Sequence, residues 1–273
     1  MSKIVFLDID GTRVDFGKTL SERTKEALLL AKAAGHTLML CTGRTRCQIF
    51  NELLQNNLVD GVIASAGAYI EYKGKELYHR IIDTEALSGL VERLQANEIP
   101  VMLMGKESLY GTEKDLCRIK EAFERQIPGA SEHMQENLGT IKVMKDFHVL
   151  PAVEKLIFED SPLPLDRVRE LSGRAFDVIP SSFQTKEGCG GEISIHGVTK
   201  ALGISYLLEH LGVDKKDSIA FGDSYNDLEM LAYVETGVAM GNAPEEIKKA
   251  ADLVTDAVSQ GGLYNGFQRL GLF

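Results

Sequence analysis

The chain has 273 residues, enough for one large domain or two of ordinary size, and its 44% hydrophobic and 26% charged composition is that of a globular protein. A net charge of -10 argues against general nucleic-acid or anionic-membrane partners, which need a basic face, yet it leaves room for a locally positive site that takes a small anion. No apolar run approaches the roughly 18 residues of a membrane span, and the short apolar N-terminal stretch does not read as a signal peptide, so the expected setting is cytoplasmic.

The first element is a buried strand, Ile4-Val5-Phe6-Leu7, leading into Asp8-Ile9-Asp10-Gly11-Thr12. If extended geometry runs through Asp10, alternation puts Asp8 and Asp10 on one side, where they repel unless a cation or proton lies between them. Thr19-Leu20-Ser21-Glu22 has the form of a capping box. The helix it opens carries Ala27, Leu28, Leu30, Ala31 and Ala34 on one face and is closed by Gly35. Residues 37–40 form a second strand, ending in Cys41-Thr42-Gly43-Arg44; Ile49, Leu53 and Leu54 suggest a helix, and residues 61–64 a third strand. This alternation predicts a parallel sheet with crossover helices.

From Tyr69 the pattern changes. A hairpin is expected around Lys73-Gly74, then an amphipathic helix on Leu87, Leu90, Val91 and Leu94. An antiparallel pair follows at 101–104 and 108–110, then a helix over 115–126 and strands at 141–144 and 154–159. A helix over 165–171 and a strand at 176–179 complete an inserted α+β module over 83–187. Gly188-Cys189-Gly190-Gly191 reads as a hinge back to the first domain, with 192–195 as its next strand. Lys200 opens a helix packing Leu202, Leu207, Leu208 and Leu211 inward. A strand at 217–221 ends in Gly222-Asp223-Ser224-Tyr225-Asn226-Asp227; a helix with Leu228, Met230 and Leu231, a strand at 237–240, the turn Gly241-Asn242-Ala243, further helix around Ile247 and Ala250, and a short strand at 251–254 close the reading. Cys41, Cys47, Cys117 and Cys189 are scattered, which fits free thiols rather than a zinc site, and the six histidines are given no role.

Polar residues recur where strands give way to helices, and in an open parallel sheet those ends line one crevice. Asp8, Asp223 and Asp227 offer oxygen-only ligands of the kind Mg²⁺ takes. Thr42 and the Gly43 N–H are expected at a helix N-terminus, a phosphate site, and Lys200 adds a compact positive charge. Singly, each is an ordinary turn, cap or surface group; in this order and at strand ends they point to one site.

The series Asp8-Ile9-Asp10-Gly11-Thr12, Thr42-Gly43-Arg44, Gly197-Val198-Thr199-Lys200 and Gly222-Asp223-Ser224-Tyr225-Asn226-Asp227 resembles the four motifs of the haloacid dehalogenase superfamily. The large insertion, with Met240-Gly241-Asn242-Ala243, is similar to the Cof-like branch of sugar-phosphate phosphatases. The resemblance implies a doubly wound, Rossmann-like α/β core over 1–82 and 188–273, with residues 83–187 as an α+β cap that selects the substrate. It implies Asp8 as the nucleophile that becomes an aspartyl-phosphate and Asp10 as general acid and base. Mg²⁺ would be held by Asp8, the Asp10 carbonyl, Asp223 and Asp227, and the phosphoryl group by Thr42, Gly43, Lys200 and Asn226. The implied activity is a Mg²⁺-dependent phosphatase of small phosphorylated metabolites; a phosphomutase and a non-catalytic sensor are the alternatives. Two residues depart from the pattern: Arg13 replaces an aliphatic residue, and Ala66 in Ser65-Ala66-Gly67-Ala68 stands where the branch has Asn.

Overall fold

The computed structural model describes residues 2–12, 20–49, 54, 57–126, 140–181 and 189–273. The chain divides into two compact units, Met1–Arg44 with Phe50–His79 and Thr199–Phe273, and Thr45–Ile49 with Arg80–Val198.

The first unit is built on an eight-stranded sheet. At its centre β1 (Ile4–Leu7) runs parallel to β2 (Thr37–Cys41) on one side and to β12 (Ser218–Gly222) on the other. Beyond β2 lie β3 (Gly61–Ala64), parallel, and the antiparallel hairpin β4 (Tyr69–Tyr72) and β5 (Lys75–His79). Beyond β12 lie β13 (Thr236–Ala239) and β14 (Leu253–Val254), both parallel. All four side chains of β1 are buried, as a strand covered on both faces requires. Burial of each such side chain stabilises the fold by about 1.5–3 kcal/mol. The chain moves outward from β1 in one direction and returns at β12 to fill the other, so the sheet's reversal point falls between these two strands. Ligands of open parallel sheets bind at the carboxyl ends of such strands.

Helix α1 (Glu22–Ala33) is capped by Ser21, whose hydroxyl accepts the Thr24 N–H; Thr19, the expected cap, lies outside the described residues. Its buried stripe is Thr24, Ala27, Leu28 and Ala31, whereas Leu30 and Ala34 face solvent. Leu30 lies about 200° around the helix from Leu28, so one stripe cannot hold both. Gly35 closes the helix as expected: its N–H bonds to the Lys32 carbonyl and the His36 N–H to that of Ala31.

The expected helix on Ile49, Leu53 and Leu54 falls largely outside the described residues; a 3-10 turn at Arg46–Gln48, capped by Thr45, is what precedes it. Three further helices of the first unit are recovered, numbered α5 to α7 in chain order. Helix α5 (Lys200–Leu211) buries Lys200, Gly203, Ile204, Leu207 and Leu208, but Leu202 is exposed. After it come α6 (Leu228–Tyr233) and α7 (Glu245–Ala250). A last helix, α8 (Gly262–Arg269), was not anticipated; its buried Gly262, Leu263, Gly266 and Phe267 make a narrow face in which two glycines hide the helical period.

The second unit has a six-stranded sheet in the order β10–β11–β9–β6–β7–β8. These strands are β6 (Val101–Met104), β7 (Leu109–Thr112), β8 (Ile141–Met144), β9 (Lys155–Phe158), β10 (Phe176–Pro180) and β11 (Gly191–Ile195). Helices α2 (Thr84–Ala96), α3 (Glu113–Gln126) and α4 (Leu165–Ser172) belong to this unit. The expected boundaries, 83–187, need correcting. Strand β11 pairs with β10 and β9 rather than with the first sheet, so the return crossing falls at Thr199, beyond the glycine-rich stretch read as a hinge. No helix among the described residues is long and apolar enough to cross a membrane.

Candidate active site

The site forms where β1 and β12 end. Asp8 follows β1 directly, and its N–H bonds to the Phe221 carbonyl of β12 at 3.1 Å, which places its side chain at the sheet's reversal point. Lys200, the first residue of α5, sends its ammonium to Asp8 Oδ1 at 2.7 Å and Asp227 Oδ1 at 2.5 Å. That reach depends on how closely α5 docks. Gly67, after β3, sits at φ +108°, and a Cβ there would lie 2.2 Å from the Thr199 carbonyl. A side chain at Gly67 would therefore push the start of α5, and Lys200 with it, off the sheet.

Asp227 is fully engaged. Its Oδ1 takes Lys200, and its Oδ2 accepts the N–H groups of Asp223 and Ser224 at 3.0 Å each. This reciprocal capping arrangement shapes the turn after β12. Asn226 accepts the Ser224 hydroxyl and faces the Lys200 ammonium at 3.5 Å through its carbonyl oxygen, and among the described residues its amide N–H₂ has no acceptor.

Asp223 lies against the turn after Asp10. Thr12 donates to its Oδ1 at 3.1 Å and Asn242 to its Oδ2 at 3.2 Å. Gly11 has φ +72°, and a Cβ there would stand 2.0 Å from Asp223 Oδ2, so only glycine lets the two motifs close on each other.

Strand β1 stops at Leu7, so the alternation expected to place Asp8 and Asp10 side by side does not extend that far. Asp10 instead accepts a bidentate pair from Arg44, Nε to Oδ2 at 2.8 Å and Nη2 to Oδ1 at 2.6 Å. The cation that answers the charge of Asp10 is thus a side chain of the chain itself. Thr42 lies two residues beyond the Leu7–Leu40 pair and is buried; Gly43 is partly exposed. Neither stands at a helix N-terminus among the described residues, because the 3-10 turn begins at Arg46 and its cap is Thr45. The loop after β3 holds them instead: Ser65 N–H bonds to the Arg44 carbonyl and Ala66 N–H to that of Thr42. Ser65 and Ala66 both have φ near +50°, an uncommon region for residues with a side chain. Arg13 lies outside the described residues.

Sequence reasoning gave no role to Arg44, Thr12 or Asn242. Arg44 was quoted within its motif and Asn242 within a turn, but only distance shows what each side chain holds.

The electrostatics follow from crowding three buried carboxylates around one buried ammonium. Burial pushes the Asp8 carboxyl well above the usual carboxylate range; Lys200 opposes this, and Asp227 and Asp10 add to it. Burial also pushes Asp223 up to about 7, with Asp227 adding and the Thr12 hydroxyl opposing. For Lys200 burial alone would favour the neutral amine, but Asp227 and Asp8 outweigh it and hold the ammonium above the ordinary lysine range. When all four groups are ionised, two negative charges have no partner in the cluster.

That imbalance is the test of whether a divalent cation fits. Oxygens of Asp8, Asp223 and Asp227 lie within 4.8 Å of one another, close to the roughly 4.2 Å that spans opposite ligands of Mg²⁺. An oxygen-only donor set with a surplus of two charges suits such a cation. Asp227 already takes the Lys200 ammonium and two backbone N–H groups, whereas each oxygen of Asp223 takes a single donor, so Asp8 and Asp223 are the carboxylates with more lone pairs to spare.

A family model described as haloacid dehalogenase-like hydrolase matches residues 5–267. The Bacillus subtilis (strain 168) protein named "Putative phosphatase YkrA" is 28% identical over 274 residues, covering 99% of this chain and 98% of its own. From the same organism, the 5-amino-6-(5-phospho-D-ribitylamino)uracil phosphatase YitU is 25% identical over 269 residues, covering 95% and 94%. Among solved structures, the HAD subclass IIB sugar phosphatase BT4131 superposes with a TM-score of 0.79 at 25% identity, over 100% of both chains.

Proposed function

This chain belongs to the haloacid dehalogenase-like hydrolases and is a phosphatase of that family; from that premise we propose that it hydrolyses small phosphorylated metabolites, sugar phosphates first among them, through an aspartyl-phosphate on Asp8. The observation that carries this reading is the buried surplus of two negative charges at the sheet's reversal point, with the single ammonium of Lys200 among them.

In the first step an oxygen of Asp8 attacks phosphorus, the bond to the leaving oxygen breaks, and Asp10 gives that oxygen its proton. In the second, Asp10 takes a proton from water, which attacks the aspartyl-phosphate; the bond from phosphorus to Asp8 breaks and inorganic phosphate leaves. Arg44 takes both oxygens of Asp10 as a carboxylate, so in the first step Asp10 frees one oxygen from Arg44 and carries the proton there, while Arg44 keeps the other in place. Asp8 and Asp223, with the Asp10 carbonyl, would hold Mg²⁺, and Asp227 would stand behind them, holding Lys200 and the turn. When bound, the metal supplies positive charge against the phosphoryl oxygens. Thr42, the Gly43 N–H and the Asn226 amide would hold those oxygens. Lys200 would join them by turning from Asn226, its longest contact at 3.5 Å. The sugar-phosphate assignment is supported by the likeness to BT4131, and a cytoplasmic setting by four cysteines that all remain free thiols.

The test is phosphate release from a panel of sugar phosphates, nucleotides and pyridoxal phosphate, with Mg²⁺ or EDTA. Release is expected only with Mg²⁺, lost to background in Asp8→Asn and lowered about 10²–10⁴-fold in Asp10→Ala. A wild-type chain that becomes stably phosphorylated without releasing phosphate would overturn hydrolysis in favour of transfer between substrate positions.

A further inference from the structure

Asn242 lies in a turn that the reaction outlined above does not use, yet its side chain ties three segments together. Its Nδ2 donates to the Gly11 carbonyl at 2.9 Å and to Asp223 Oδ2 at 3.2 Å, while its Oδ1 accepts the Val258 N–H at 2.9 Å. The partners fix the amide's orientation. A carbonyl and a carboxylate can only accept and a backbone N–H can only donate, so the flipped amide would oppose like groups at every contact. A carboxylate at this position would face Asp223 and the Gly11 carbonyl without a proton to offer either. The other oxygen of Asp223 is held by the buried Thr12 hydroxyl at 3.1 Å. Both oxygens of Asp223 are therefore gripped from outside the site, one by each donor, and the plane of the carboxylate is set before anything binds to it.

We propose that Asn242 is a positioning residue for the metal site: with Thr12 it orients the Asp223 carboxylate toward the cation, and through Gly11 it fixes the turn that carries Asp10. The inference rests on the metal-dependent reading above. An oriented ligand loses little freedom on binding, and partners that hold a metal's ligands typically account for about 10–100-fold in metal affinity. The Val258 contact supplies a separate control. It tethers the loop after β14 to Asn242 but touches no carboxylate. Val258 is the first residue of a 3-10 turn and follows Ala257 at φ -65°, ψ 155°, a geometry that accepts proline.

The experiment is a calorimetric titration of Mg²⁺ into the metal-free protein, with thermal unfolding measured alongside. It compares wild type with Asn242→Ala, Thr12→Val, Thr12→Ser and Val258→Pro. Positioning predicts affinity weakened about tenfold or more in Asn242→Ala, weakened in Thr12→Val, retained in Thr12→Ser, and within about twofold of wild type in Val258→Pro. A merely structural role predicts that Asn242→Ala and Val258→Pro melt earlier while both bind Mg²⁺ as wild type does, and that result would overturn the proposal. Equal weakening by both would overturn it as well, since the loop tether would then be the active contact. Wild type that binds no Mg²⁺ would overturn both the inference and the metal-dependent reading beneath it. Normal wild-type binding with Asn242→Ala unchanged would remove the inference alone.

Discussion

Each of the two units of this chain buries a lysine, and the two lysines keep opposite company. In the second unit Lys155 is matched: almost fully buried, it meets the partly exposed Glu192 at 2.7 Å across adjacent strands. In the first unit Lys200 pairs with Asp8 and Asp227 while a third buried carboxylate, Asp223, stands beside them with neutral donors alone. Matched pairs need nothing further and serve the fold. An unmatched cluster costs stability in isolation, and its position at the reversal point of a parallel sheet makes it the candidate place for a ligand that supplies the missing charge.

The comparison breaks most visibly when one lysine is removed from each unit. Lys200→Met leaves the cluster with no cation, and a loss of about 3–5 kcal/mol is expected in denaturant unfolding without metal. Lys155→Met strands only Glu192, which water can reach, so about 1 kcal/mol is expected. Equal losses would mean that the two environments do not differ as described.

Metal should sharpen the contrast. At a hundredfold excess over its dissociation constant, Mg²⁺ is expected to add about 2.7 kcal/mol to the first unit, seen as a rise of several degrees in melting temperature that EDTA reverses. No such rise is expected in Asp223→Asn.

The metal-free protein should also show the pH signature of an unmatched carboxylate. Asp223 is pushed up to about 7 in the fold, against about 3.9 in an unfolded chain, so the folded state holds a proton that the unfolded state has released. Its contribution is fully present below about pH 4 and is lost as pH rises through about 7. The stabilisation by Mg²⁺ should accordingly be larger at pH 8 than at pH 5.5, with protons released on binding at the lower pH. An increment independent of pH would contradict this.

The smallest effect concerns the loop that holds Thr42 and Arg44. Ala66 sits at φ +52°, where a Cβ is unfavourable. Ala66→Gly is expected to stabilise the protein by about 1 kcal/mol in thermal or denaturant unfolding while keeping the bond from residue 66 to the Thr42 carbonyl. This is also the position where the sequence departs from the Cof-like pattern; asparagine tolerates that backbone region better than alanine does.

Most strands and helices of both units could be read from periodicity, because runs such as Ile4-Val5-Phe6-Leu7 and the Leu87, Leu90, Val91, Leu94 stripe reflect local geometry. Membership of a sheet could not. Strand β11 looks the same in sequence whether it joins one sheet or the other, and only its pairing with β10 and β9 decides. The acidic residues of the site were legible because they stand at strand ends, where a strand former would otherwise be expected. Arg44, Thr12 and Asn242 were not, since arginine after a turn, threonine after glycine and asparagine in a turn are ordinary until a carboxylate is found within hydrogen-bond distance.

Asp8, Asp223, Asp227 and Lys200 leave a charge surplus that, on the proposed function, a divalent cation completes. The most direct test is the Mg²⁺ titration of wild type beside Asp223→Asn, followed by heat and by proton release in buffers of different ionisation enthalpy. The account predicts one Mg²⁺ per chain in wild type and binding weakened by orders of magnitude in the variant. Wild type that takes up no Mg²⁺, or a variant that binds it equally well, would contradict it.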